Sequence, residues 1–336
     1  MDIFFEDFAP GAVTTYGRYP VGRDDMVAFA REFDAQPFHV DEAAARASPV
    51  GELIASGWYT CGLLMRALCD EWLLRAASFG GPGISEAKWL RPVRAGDVLR
   101  VRQTIRDARP SGSKPSMGFV TFELEMLNGA DEPVLQQVHV GMFGRRGAGE
   151  GERPSFATPG PAPSSVRSRD ERPEPRPDAP LTFDEVRVGE VTPLGAYLFT
   201  PEKVVAFARR FDPQPFHLSE EAARESPFGR LAASGWHTAS AWMGQFIHHR
   251  QAVIDRAAAE GRTPLWGVSP GFRDLKWLRP VYAGEAIRFE TEVLSKRLSA
   301  SRPGWGLVFS RNSGWNAAGE RVFEFSGSGF WGLREA

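Results

Sequence analysis

The spacing of apolar positions divides the chain into the same succession of elements twice. Residues 12–21 and 191–199 mix apolar and polar positions as a first strand would, and a short amphipathic helix follows each. In the second half that helix has a defined start: Thr200 stands as N-cap, Pro201 takes the first helical position, and Val204, Val205, Phe207, Ala208 and Phe211 supply its apolar face. Pro213 ends it. An Ala/Glu-rich helical turn over 41–47, or 219–225, comes next, and then a longer helix opening at Gly57 or Gly235. In the first half Cys61, Leu64, Met65, Leu68 and Trp72 keep to one face of a 3.6-residue period, with Leu63 and Leu73 widening the stripe. Such a stripe has to lie on a sheet. The strands for it are an extended run holding Val98, Arg100, Arg102 and Ile105, an alternating run over 119–127, a turn at Asn128-Gly129 and a return over 134–143. Their counterparts are 286–294, 307–315 and 322–331. The expected class is α+β, with an antiparallel sheet wrapped around one long central helix in each half.

The repetition is literal as well as periodic. Phe5-Glu6-Asp7-Phe8-Ala9-Pro10-Gly11 is matched by Phe183-Asp184-Glu185-Val186-Arg187-Val188-Gly189, and Ala55-Ser56-Gly57-Trp58 by Ala233-Ser234-Gly235-Trp236, both at an offset of 178. Lys88-Trp89-Leu90-Arg91-Pro92-Val93 then matches Lys276-Trp277-Leu278-Arg279-Pro280-Val281 at 188, which places ten extra residues between these landmarks, after the second central helix. A period this long describes a tandem duplication rather than a solenoid. Between the copies, residues 145–180 are rich in Pro, Gly, Ser, Arg and Glu without apolar period, and read as a disordered linker. Its flexible span is on the order of 30 to 35 Å, enough for adjacent packing of an N-terminal domain over 1–144 and a C-terminal domain over 181–336. The two sheets are expected to join edge to edge with both long helices on one face.

Composition narrows the function. A formal net charge of -2 over 336 residues gives no general attraction to nucleic acid or an anionic membrane, and the linker's arginines alternate with acidic residues. The two cysteines, Cys61 and Cys69, lie eight apart on one helix, about 12 Å of rise, too far for a disulfide. The acidic N-terminal stretch lacks a signal-peptide pattern, no segment reaches a membrane-spanning apolar run, and the expected compartment is the reducing cytoplasm.

The candidate chemistry lies in the most closely repeated stretch, Phe33-Asp34-Ala35-Gln36-Pro37-Phe38-His39 and Phe211-Asp212-Pro213-Gln214-Pro215-Phe216-His217. Each copy carries a carboxylate and an imidazole five positions apart, with a proline between them expected to hold the backbone out of a helix: a proton acceptor and a proton donor on one rigid loop. Backbone N–H groups at the start of the central helix, at Gly57 and Gly235, are unsatisfied donors suited to a developing oxyanion. Arg91 and Arg279 precede a proline in both copies and suit either a phosphate or a strand start. His237 stands where the first half has Tyr59, two residues into the central helix, and reads as a polar lining residue. His139 has Gly327 as its counterpart and reads as a strand-face residue; His248 and His249 are adjacent on a helix and cannot both face one ligand. No group has convincing metal spacing, and no nucleophile elbow accompanies Ser56.

This order of elements, with its loop motif and glycine-initiated helix, resembles the hotdog fold of the MaoC-like, or R-specific, enoyl-CoA hydratase family, and the duplication resembles its double-hotdog branch. The family motif Asp-x-Asn-Pro-x-His stands here as Asp34, Gln36, Pro37, His39 and as Asp212, Gln214, Pro215, His217, with Gln for Asn in both copies. The His-Gly that often opens the family's central helix is Ser56-Gly57 and Ser234-Gly235. The resemblance implies a cofactor-free hydro-lyase of acyl-CoA or similar thioesters, in which aspartate accepts a proton from one water and histidine orients that water and delivers a proton to the α-carbon. It implies an internal pseudo-dimer and leaves further homo-oligomerisation open. It also implies that one half can give up its acid and base, which this chain has not done. A hotdog thioesterase and a non-catalytic acyl-thioester binder are the alternatives.

Overall fold

The computed structural model describes residues 2–48, 50–147 and 174–334. In the first half they form β1 (Val13–Pro20), α1 (Arg23–Phe33), α2 (Pro37–Val40), α3 (Glu42–Ala47), α4 (Gly57–Glu71), β2 (Gly83–Trp89), β3 (Val98–Pro110), β4 (Met117–Leu127) and β5 (Pro133–Gly144). The second half repeats the order as β6 (Val191–Leu198), α5 (Pro201–Phe211), α6 (Pro215–Leu218), α7 (Glu220–Arg224), α8 (Gly235–Ala259), β7 (Gly271–Trp277), β8 (Ala286–Leu298), β9 (Trp305–Trp315) and β10 (Arg321–Gly332). The expected start of α5 is present, with the Thr200 side chain accepting from the Lys203 N–H and Pro201 in the first turn.

All ten strands belong to one antiparallel sheet in the order β1-β3-β4-β5-β2-β7-β10-β9-β8-β6. Its two five-strand halves meet at β2 and β7, where Gly83 pairs with Lys276 and Lys88 with Gly271. Apolar packing crosses the seam too: the Trp58 ring stacks on Phe272 at 4.9 Å, and Phe29 meets Phe211 edge-on at 5.5 Å. A single core therefore runs through both halves. The chain is a double hotdog, and the expected edge-to-edge joining is what the sheet shows.

Four local expectations change. The prolines of the loop motif start helical turns instead of preventing them, because Pro37 and Pro215 occupy first-turn positions where no intrahelical N–H is needed. The β4–β5 connection is a five-residue loop in which the Asn128 side chain accepts from the Ala130 and Glu132 N–H groups, and the left-handed residue is Asp131 (φ 63°), not Gly129. The ten extra residues do not follow the second central helix; they lengthen it, α8 having 25 residues against 15 in α4. The expected linker is packed at both ends: Arg145 and Arg146 pair with Glu6 and Asp7, while Pro175 accepts from Arg256 at 2.6 Å and Ala179 packs on Leu181, Val253 and Ala257. The lengthened α8 supplies the apolar surface that this second end covers. Its middle, 148–173, lies outside the described residues.

Both cysteines are buried and free. No helix among the described residues is long and apolar enough to cross a membrane.

Candidate active site

Asp34 closes α1 as its C-cap, and the turn that follows puts His39 back beside it. The Asp34 Oδ2 to His39 Nε2 distance is 3.5 Å, and the same pair in the second half, Asp212 and His217, is also 3.5 Å apart. All four side chains are buried. Ser56 Oγ donates to Asp34 Oδ2 at 2.6 Å and Gln36 Nε2 donates to Asp34 Oδ1 at 2.9 Å; Ser234 and Gln214 do the same for Asp212 at the same distances. Each serine also N-caps its central helix, accepting from the Trp58 or Trp236 N–H, so one residue ties the carboxylate to the helix start. The sequence places Gln and Ser where this requires them. Gln reaches back two residues, and Ser has the hydroxyl to donate to the acid while accepting from the helix.

His39 Nδ1 lies 2.8 Å from the Ile54 carbonyl and His217 Nδ1 lies 2.7 Å from the Ala232 carbonyl. A carbonyl only accepts, so Nδ1 carries a proton in both, and Nε2 is left as the nitrogen that exchanges one. Each pair thus presents one carboxylate oxygen and one ring nitrogen to the same point.

Gly57 and Gly235 line the two cavities. Their lack of a side chain has a second cause: a Cβ at either would lie 2.3 Å from the indole of Trp89 or Trp277. Arg91 and Arg279 also line the cavities, but each is exposed and ion-paired to an equivalent acid, Glu132 or Glu320.

His237 is a correction. It does not line either cavity; it is fully buried, its ring stacked on Phe207 at 4.6 Å and its Nε2 3.2 Å from the Tyr197 hydroxyl. Two positions into α8 the side chain points between α5 and β6, where Tyr59 in the first half packs against Phe29 and Phe211. Burial, with Lys203 and His217 adding to it, pushes the His237 pKa down to about 3. The unfolded chain binds a proton here below about pH 6.5 and the folded chain does not, so stability falls as pH drops from about 6.5 toward 3, by about 1.4 kcal/mol per pH unit. His237→Phe is expected to flatten the acid limb of unfolding free energy against pH. An unchanged slope between pH 6 and 4 would show that this histidine does not titrate on unfolding.

The two cavities are built crosswise, which no local motif announces. The larger, about 470 Å³, holds Asp34, His39 and Gly57 of the first half, but its far wall is α8 and β8–β10 of the second. The smaller, about 340 Å³, holds Asp212, His217 and Gly235 and is walled by α4, β5 and the 78–82 loop of the first half. Residues missed from the sequence belong to these borrowed walls or lie behind them. Cys69 of α4, behind the wall rather than on it, lies 3.6 Å from Asp212 Oδ1, its thiol pushed far up by burial and by that carboxylate. His139 lines the smaller cavity, stacked on Phe122 at 5.1 Å and pushed down to about 4 by burial. His249 and Arg250 line the larger.

A double hotdog with a buried Asp/His pair at the start of each central helix defines a class, and comparison with known proteins names it. The model of the MaoC like domain matches residues 7–121 and 167–303, so the chain belongs to that family. Among curated relatives, 3-hydroxybutyryl-CoA dehydratase of Methylorubrum extorquens is 33% identical over 113 residues, covering 32% of this chain and 67% of the relative. The uncharacterized protein YdeM of Bacillus subtilis is 27% identical over 131 residues, covering 39% of this chain and 92% of its own. A MaoC domain protein from Chloroflexus aurantiacus has the same fold over 99% of this chain and 98% of its own, with a TM-score of 0.75 at 16% identity. A Mycobacterium tuberculosis protein described as a double hotdog matches over 97% of both chains, with a TM-score of 0.67 at 16% identity. The family supports hydratase or dehydratase activity in general.

Proposed function

We propose that the protein is a hydro-lyase that reversibly adds water to an enoyl thioester of CoA, giving the 3-hydroxyacyl thioester. The observation that carries the reading is the 3.5 Å approach of carboxylate Oδ2 and imidazole Nε2, in both halves, with Oδ1 held by Gln, Nδ1 by a backbone carbonyl and Oδ2 itself oriented by Ser. A water between Asp34 and His39 gives one proton to the carboxylate while its oxygen bonds to the β-carbon. The protonated Nε2 gives its proton to the α-carbon, and the π electrons of the double bond become the new C–H bond. The aspartic acid then returns a proton to the imidazole, which restores the pair. Nδ1, donating to the Ile54 carbonyl, keeps the ring aligned and stabilises its charged form. Charge that collects on the thioester oxygen meets the Gly57 N–H at the positive end of α4. The second pair acts in the same way with Gly235. The chemistry needs no cofactor beyond the CoA carried by the substrate.

The experiment follows the conjugated-thioester absorbance of an enoyl-CoA together with free thiol. Loss of conjugation without thiol is the expected result. Release of thiol would make the protein a thioesterase, and binding without either change would make it an acyl-thioester carrier.

A further inference from the structure

Arg250 is a cation without a polar partner inside the larger cavity. Its guanidinium carbon lies 4.5 Å from the ring centre of Trp266, 4.7 Å from Phe246 and 5.7 Å from Trp331. Among the described residues no carboxylate or carbonyl accepts from it, whereas Arg91, Arg256 and Arg262 each have an acceptor. Arg250 is half-buried, aromatic faces offset part of the cost of desolvating it, and among the described residues its N–H donors have no protein acceptor. Burial pulls its pKa down to about 10 while the Asp34 carboxylate pulls the other way, so the group is charged at neutral pH and lines the same cavity as Asp34.

The duplication provides an internal control. At the offset of 178, Arg250 corresponds to Trp72, which fills its cavity, stacks on Phe122 at 5.7 Å and donates to the Tyr16 hydroxyl at 3.1 Å. At the offset of 188, the cross-strand pair Phe122 and His139 corresponds to Ser310 and Gly327, and both pairs sit in register on their sheets. Two rings have been emptied from one wall, and an indole has become a guanidinium. Asn312 and Thr291 further line that wall, where the first half has Leu124 and Gln103. The larger cavity is therefore roomier and carries a cation on this wall, while the smaller is aromatic and uncharged along the same wall.

We infer that the Asp34/His39 cavity takes an enoyl thioester whose acyl group ends in a carboxylate, held by the planar fork of Arg250, while the Asp212/His217 cavity takes an uncharged acyl group. This rests on the enoyl-thioester reading above. The thioester has to sit at Gly57 and the acid/base pair, all from the first half, so an acyl group extending into the second half runs toward α8. A guanidinium fork matches a carboxylate in two parallel hydrogen bonds, which a lysine cannot reproduce.

The test compares mono-CoA thioesters of trans-2-enedioic acids of four to six carbons with enoyl-CoAs of equal length ending in methyl. The enzyme carries Asp212→Asn so that only the larger cavity turns over, with and without Arg250→Met or Arg250→Lys. Losing a charge-assisted hydrogen-bonded pair is expected to lower kcat/KM for the carboxylated thioester by about thirtyfold, chiefly through KM, with Lys restoring part of it. The methyl-ended thioester is expected to change less than about threefold. Equal losses on both substrates would overturn the assignment, since Arg250 would then serve the CoA moiety or the fold. If neither substrate is hydrated, the hydratase reading fails by itself, and tryptophan-fluorescence titration with the same two thioesters still decides. Tighter binding of the carboxylated one that Arg250→Met abolishes sustains the anion site, and equal binding overturns it.

Discussion

Changing Asp34 and Asp212 together to asparagine is expected to lower hydration of every substrate at least about a hundredfold, the lower end of what a positioned acid or base contributes. The chain should stay folded. Ser56 can still donate to the amide oxygen that replaces Oδ2, and Gln36, by turning its own amide over, presents an acceptor to the new NH2; Ser234 and Gln214 do the same in the other half. What is lost is the base. The single variants divide the result, because each cavity owns one pair: Asp34→Asn is expected to remove the substrates of the larger cavity and Asp212→Asn those of the smaller. Progress curves on an acyl-CoA panel, with thermal unfolding as the folding control, read all three variants. Near-wild-type turnover in the double variant would end the mechanism. If one single variant abolished every substrate and the other changed none, only one pair would be catalytic.

Much of this was legible in the sequence because it is local. The acid, the imidazole, the glutamine and the capping serine lie within 23 residues of one another, and the turn chemistry that gathers them is written in Pro37 and Ser56. The tandem repeat showed the two halves, and the linker's reach their adjacent packing, but β2 and β7, the short strands that form the seam, carry no apolar alternation long enough to announce them. What failed to show was either a matter of helical phase or of tertiary contact. The ten extra residues read as following the second central helix because the landmarks on either side only fix their number. Arg250, Val253 and Ala257 in fact continue the inward stripe of α8 at helical spacing, and that phase was the available signal for Arg250. His237 lies two residues from Gly235, yet two residues of α-helix turn a side chain by about 200°, from the cavity to Phe207. Cys69 reaches Asp212 across 143 residues, a pairing that no pattern within either half contains.

The seam between β2 and β7 should control both activities at once. Gly83 and Gly271 stand at its two ends, where a Cβ would come within 2.0 Å of the Leu275 carbonyl oxygen and 2.1 Å of the Ala87 carbonyl oxygen. Those neighbours are backbone, so even alanine forces the two strands apart, at a cost of about 1 to 3 kcal/mol for overpacking. Neither glycine touches an acid/base pair, although Gly83 lines the smaller cavity and Gly271 the larger. Yet the wall of each cavity comes from the opposite half, so a shift of one half against the other misplaces both acyl groups relative to their waters, and a misplacement near 1 Å costs about a hundredfold. Gly83→Ala and Gly271→Ala are therefore expected to depress turnover in both cavities in parallel, unlike the single aspartate variants, which divide the substrates between them. Gly129→Ala, where an added Cβ meets nothing within 4 Å, serves as the matched control. Thermal unfolding separates the two ways the seam variants can act: a folded chain with both activities lowered supports crosswise cavities. Folded variants in which each lowers only the activity of the cavity it lines, Gly83→Ala the smaller and Gly271→Ala the larger, would mean that the halves work independently, each cavity needing nothing from across the seam.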